Sequence, residues 1–493
     1  MSERLTFNAA RGSRAAAPGW TAPPLASRGR RGGGGEGPAA EPAAAVARPE
    51  AEPRDWAYYF LLAFTATVFF RPQDTVPALR FLHLAELCAI GGLATLVFGR
   101  LSRGLPISRV TPELIGVVAL GLIVLGTAPF SVWMGGAIGV FKDLYSKVLL
   151  IFLLMVNVLT SPRRLERLTW LLVIAGAYIG FRAVLDYVRG VNLIEYGRVR
   201  GSIGGIFKNP NDLALNMVAL LPFALCAALA KGPVLRRLLA LACAGCMLGA
   251  VVVSHSRSGT LGLVAALAVL AWFTLKRRPG IVLAAVFAMI PLAALAPSSY
   301  LERLSSITDG SKDDTGSRAA RQRLLEESTQ AFLENPLTGV GAGQFKNWNP
   351  KGRIEPWRES HDVLLQVAAE LGVAGLAVFM FLIARGGMAA LKTRRMLALA
   401  PRPGRQRAAS TRRPGPSLTP AEWEFFDSHS IAVAAAVTGW FVCALFASVA
   451  YNWTFYYLLA LAAAPRDVLA ARMPPRSAAP VTPAEPRWEA ARA

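Results

Sequence analysis

Runs of roughly 15 to 22 mostly apolar residues recur from Trp56 onward, close to the ~20 that carry an α-helix across a hydrocarbon core. Backbone polar groups cannot stay unpaired in lipid, so runs of this length predict helices. About twelve are expected, at 56–70, 81–98, 114–132, 141–159, 168–188, 211–230, 235–254, 259–275, 279–296, 362–384, 431–448 and 451–470. The pattern predicts an all-α polytopic membrane protein with one large periplasmic loop. Residues 1–54 are rich in Ala, Pro, Gly and Arg and have no apolar core. They read as a disordered cytoplasmic tail, and 474–493 read the same way. Between the tails lie N-terminal transmembrane helices (55–190), a transmembrane core (191–385) that includes a loop at 297–361, a basic cytoplasmic loop (386–430) and C-terminal transmembrane helices (431–473).

Composition agrees. Of 493 residues, 54% are hydrophobic and 17% charged, with mean hydropathy +0.40, too little charge to cover a soluble surface of this size. The net charge of +22 would suggest nucleic acid in a soluble chain. Here the positive-inside bias accounts for it: with the N-terminus inside, about two thirds of the 53 Lys and Arg fall on tails and loops of the cytoplasmic side. Arg163, Arg164 and Arg167 fill one such loop, and Arg394, Arg395, Arg402, Arg405, Arg407, Arg412 and Arg413 another. Both termini are therefore expected in the cytoplasm, with membrane lipids and not nucleic acid as the surroundings. The five cysteines (Cys88, Cys226, Cys243, Cys246, Cys443) lie in or at the ends of apolar runs and read as packing residues.

The same assignment puts 297–361 on the periplasmic side. An amphipathic helix is expected there over about Arg318–Leu333, followed by the turn Asn335-Pro336-Leu337-Thr338-Gly339-Val340-Gly341. Positive charge on this side opposes the topological preference. It falls on Arg189, Arg198, Arg200 and Lys208 after the fifth span, and on Arg257 in a short turn between two spans. The long loop adds Arg303, Arg318, Arg321, Arg323, Lys346, Arg353 and Arg358. Arginine's planar donor fork suits phosphate oxygens, and Arg257, wedged between spans, is costly there unless paired or used. Of four histidines, His83, His255, His361 and His429, His361 opens the tenth span. A helix N-terminus and nearby cations favour its neutral form, which can take a proton from a hydroxyl. Walker, HExxH and GxSxG patterns are missing from the sequence, and the pair Asp313-Asp314 reads as a solvated turn.

Four segments, in order, resemble the O-antigen ligase and Wzy polymerase superfamily. Arg200-Gly201-Ser202-Ile203-Gly204-Gly205-Ile206-Phe207-Lys208-Asn209-Pro210-Asn211-Asp212-Leu213-Ala214 is similar to its RxxGxFxNPNxLA stretch. Ser256-Arg257-Ser258-Gly259 with Leu261 resembles its SRxxxL turn. The passage from Arg321 to Gly341 resembles R…PLxGVG, and His361 with Gly372 and Gly375 fits H[NSQ]x9Gxx[GTY]. The position after the histidine departs from that pattern: it is Asp362, a carboxylate that would favour the charged imidazole.

The resemblance implies a metal-independent, cofactor-free, inverting glycosyl transfer at the periplasmic face of a bacterial inner membrane. The donor would be a glycan on undecaprenyl diphosphate, and the acceptor a hydroxyl on a glycan, lipid A core or protein. It implies His361 as the base and, as diphosphate ligands, Arg257 and either Arg318 or Arg321, with Arg200 as a third. Ligase and polymerase are both open. A twelve-span transporter is a third reading; it would call for internal repeats and mid-membrane carboxylates. Carboxylates in the spans are few: Glu86, Asp143, Asp186 and Glu370.

Overall fold

The computed structural model describes residues 55–194, 197–201, 207, 209–275, 279–280, 317–349, 357–400 and 416–473, with the backbone alone of Thr75, Arg80, Ser317 and Arg318. Both expected tails lie outside the described residues, as do most of the expected 279–296 span, residues 401–415 of the basic loop, Lys208, Arg303, Arg353 and the Asp313-Asp314 pair.

Twelve helices carry the architecture of what is described. They are α1 (Trp56–Phe70), α2 (Leu84–Leu101), α3 (Pro112–Thr127), α4 (Met134–Val140, a π-helical Phe141–Tyr145, then Ser146–Val158) and α5 (Pro162–Val188). A two-stranded hairpin, β1 (Leu193–Ile194) with β2 (Arg198–Val199), precedes α6 (Pro210–Leu229), α7 (Val234–Val253) and α8 (Arg257–Leu275). Then come α9 (Ser317–Glu334), α10 (Val363–Leu399), α11 (Pro420–Ala444) and α12 (Trp453–Ala471). Among the described residues, eight helices are long and apolar enough to cross a membrane. The chain is an all-α polytopic membrane protein, as its hydropathy predicts.

A repeated piece of local grammar starts these helices. Thr111-Pro112, Ser161-Pro162, Asn209-Pro210 and Thr419-Pro420 each place a capping side chain before a proline at the first helical position. Proline lacks an amide that would be unpaired there anyway, and the cap oxygen takes a following N–H. At Thr419 the cap is reciprocal, since Glu422 returns a bond to the Thr419 amide. α10 continues as helix to Leu399 and α11 begins at Pro420, because hydropathy marks where a helix leaves the apolar layer, not where its backbone bonds end.

Packing follows small residues and aromatics. α11 packs along α8 and α6, α7 along α6 and α5, and α10 against α12, α11, α3 and α9. At the α8–α11 crossing a Cβ on Gly262 would lie 2.2 Å from Cys443 Sγ and 2.7 Å from the Gly439 carbonyl oxygen, so the two backbones approach as closely as small residues allow. Trp440 of α11 stacks on Phe455 of α12 with ring centres 4.6 Å apart. All five cysteines are free thiols.

Three helices are also tied by charge, roughly 35 Å along α10 from His361. Glu113, fully buried at the start of α3, accepts two bonds from Arg466 of α12, at 2.6 and 3.0 Å. Arg385 of α10 donates to the same carboxylate at 2.8 Å. Arg466 also reaches Asp467 at 2.8 Å.

Candidate functional site

His361 is placed by the start of α10. Asp362 is the N-cap, and its Oδ1 accepts from the amides of Leu364 and Leu365, both at 2.8 Å. Asn, Ser and Asp can all cap in this way, so the departure from the resembling pattern keeps the local chemistry. The carboxylate is committed to the backbone, and the groups acting on His361 are others. Burial, then the charges of Arg321 and Arg358, hold the half-buried imidazole below its usual range, at about 4. It is therefore neutral at ordinary pH. The expected opposing pull of Asp362 is not among these causes.

α9 is the helix expected over Arg318–Leu333, and one face of it docks on this segment. Ser328 Oγ donates to Ser360 Oγ at 2.9 Å, while Leu324 and Ala331 are buried in a small cluster with Val340, Phe345 and Ala369. Arg321 stands one turn before Leu324 on that face, which is how its charge comes to act on His361. Arg318 is a further turn away, and its side chain lies outside the described residues. Arg323 and Arg358 are exposed.

The turn after α9 locks into a break in α10. Gly372 has φ 67 inside the helix, a conformation that side-chain-bearing residues avoid. The break frees carbonyls of the preceding turn for other donors: the amide of Val340 bonds to the Ala369 oxygen at 2.8 Å and that of Gly341 to the Glu370 oxygen at 3.0 Å. The Val373 amide in turn bonds to the Pro336 oxygen at 2.8 Å. A Cβ on Gly372 would meet the carbonyl oxygens of Pro336 and Leu337 at 2.6 Å. Buried Glu370 adds a side-chain link, accepting from the Gly343 amide at 2.8 Å.

A second cluster gathers two of the motifs. Asn209 caps α6. Ser256 Oγ accepts from the Gly259 amide at 3.1 Å at the start of α8 and donates to Asn211 Oδ1 at 2.9 Å. Arg198 donates to the same Asn211 oxygen at 2.9 Å and to the Ser254 carbonyl oxygen at 3.3 Å. One asparagine thus joins the hairpin, α6 and the turn before α8. Arg257, half-buried, is the first residue of α8. Arg200 is exposed, and Arg198, two residues earlier, makes the contacts to this cluster.

The family model described as O-Antigen ligase matches residues 242–380. This part of the chain is similar to the O-antigen ligases. It runs from within α7 past the Gly372 break of α10 and takes in Arg257, Arg318, Arg321 and His361. The match to O-antigen ligases supports a role in membrane glycan processing. No curated protein matches the chain.

Gln366 and Ser448 are engaged beside the site without any signal in the sequence, and Arg198, Asn211 and Glu370, noted there only as an outward cation, a motif residue and a span carboxylate, make contacts there too. The other histidines take structural places. His429 is buried in α11 with a ring nitrogen 3.1 Å from the Leu461 oxygen, and His83 pairs with Glu86 at the surface. His255 is buried in the turn before α8. Among the described residues, no group of three His, Cys, Asp or Glu side chains is arranged to hold a metal ion.

Proposed function

We propose that the chain is an O-antigen ligase-like glycosyltransferase of the bacterial inner membrane, with both termini cytoplasmic and His361 at the periplasmic face. In this reading it transfers a glycan from undecaprenyl diphosphate to an acceptor hydroxyl. The observation that carries the reading is one half-buried imidazole at the start of α10, held neutral by burial and by the charges of Arg321 on the neighbouring α9 and Arg358 three residues before it, inside the segment matched by the ligase family.

The imidazole takes the proton of the acceptor hydroxyl, whose oxygen attacks the anomeric carbon of the donor sugar. The bond from that carbon to the diphosphate oxygen breaks, and the electron pair leaves with the diphosphate. A single displacement inverts the anomeric centre. Arg257 and Arg321 hold the diphosphate and stabilise its growing charge. Arg318 lies one turn from Arg321, and Arg200 lies at the exposed edge. A bound diphosphate offsets the arginine charge that depresses His361, so the base strengthens when its donor arrives.

Deletion of the chain, followed by gel analysis of surface and carrier-linked glycan, tests the class. Full-length chains accumulating on the carrier lipid are expected for a ligase, and single repeat units for a polymerase of the same superfamily. Unchanged glycan would remove the enzymatic reading. Within the site, Arg257→Lys is expected to slow transfer at least about tenfold, because a point charge does not replace a two-pronged phosphate clamp. A wild-type rate in membranes carrying that variant would assign Arg257 to structure alone.

A further inference from the structure

The connection from α11 to α12, residues 445–452, need only reverse the chain, yet it holds the start of α10 at three points. The His361 amide donates to Ser448 Oγ at 2.9 Å. The Ala450 amide donates to Gln366 Oε1 at 3.1 Å, and the Tyr451 hydroxyl to Glu370 Oε2 at 2.9 Å. Gln366, Glu370, Ala450 and Tyr451 are all buried, so these bonds are shielded from water. Residues 366 and 370 are one turn apart on one face of α10, and His361 stands just beyond its N-cap. Because Glu370 also takes the Gly343 amide, the connection, α10 and the turn after α9 share one joint.

His361 itself has φ 54. A residue with a side chain is disfavoured in this left-handed region and persists there only when its surroundings hold it. The amide of this residue is the one Ser448 receives. We infer that residues 448–451 form a strap that sets the position of the His361 ring, with Ser448 as its positioning residue. The inference rests on the proposed role of His361 as base. Ser448 bonds the backbone and not the imidazole, so it governs where the ring sits and leaves its protonation to the arginines and to burial.

The test uses the full-length chain in cells lacking the chromosomal copy. Membrane vesicles from these cells, with their native lipid-linked glycan and acceptor, are assayed for undecaprenyl diphosphate release per amount of chain across pH. Ser448→Ala is expected to slow release about tenfold, since small displacements of a catalytic group are costly. The acid limb of the profile should stay in place, and Ser448→Thr, which keeps the hydroxyl, should recover most of the rate. Three results would overturn the strap: a wild-type rate for Ser448→Ala, a threonine variant as slow as the alanine one, or an acid limb that moves. His361→Ala, run in parallel, separates the two ideas. If it still releases the carrier, the role of His361 falls; if it is inactive while Ser448→Ala is wild type, only the strap falls.

Discussion

His361→Ala is expected to lower glycan transfer at least about a hundredfold, the usual lower range for loss of a general base, while the protein still inserts and accumulates. The side chain is half-buried at the start of α10, whose cap and Gly372 joint are built from other residues, so its loss leaves the helix start intact. The pH dependence has a definite sign. A folded-state value of about 4 keeps the imidazole neutral, and able to accept a proton, above that pH; the rate is lost as pH falls through it. The acid limb of kcat/KM, which reports the free enzyme, should therefore lie near 4 and not near the ordinary histidine value. The limb of kcat, which reports the donor complex, should lie higher, because the bound diphosphate screens Arg321 and Arg358. An acid limb of kcat/KM at about 6.5, or full transfer by the alanine variant, would contradict this assignment.

Glu113→Ala should produce the largest loss of stability. The carboxylate is fully buried between Arg466 and Arg385, and its removal leaves two guanidinium groups facing each other, one of them also buried. Breaking a buried pair of this kind costs about 3–5 kcal/mol, whereas replacing the whole pair by apolar side chains is often neutral. The thermal midpoint of the detergent-solubilised protein should fall sharply in Glu113→Ala. Much of it should return in Glu113→Leu combined with Arg466→Met, because Arg385 keeps partial access to solvent. An unchanged midpoint in the single variant would mean that the network contributes little.

The helices were legible in sequence because lipid leaves the backbone no alternative to internal hydrogen bonding. Their ends were less so. Arg394 and Arg395 read as loop, but the backbone of α10 runs through them to Leu399. Glu113 stands one residue outside the apolar run expected at 114–132, and its partner Arg466 lies 353 positions later, a distance no local pattern spans. Asp362 looked like a departure from a motif and is a helix cap. The motif pointed at Arg200, while Arg198 carries the contact to Asn211. Arg321 was named alongside Arg318 without a choice, and the docking of α9 through Ser328 and Leu324 puts Arg321 on the face toward His361. Ser448 had no signal at all, since its role depends on two connections, distant in sequence, meeting at one amide.

The most direct measurement is a structure of the protein with undecaprenyl diphosphate bound. The diphosphate is expected within hydrogen-bonding distance of Arg257 and Arg321, with the His361 ring beside the position its sugar would occupy. A diphosphate held elsewhere, out of reach of both arginines and of His361, would contradict the proposed site.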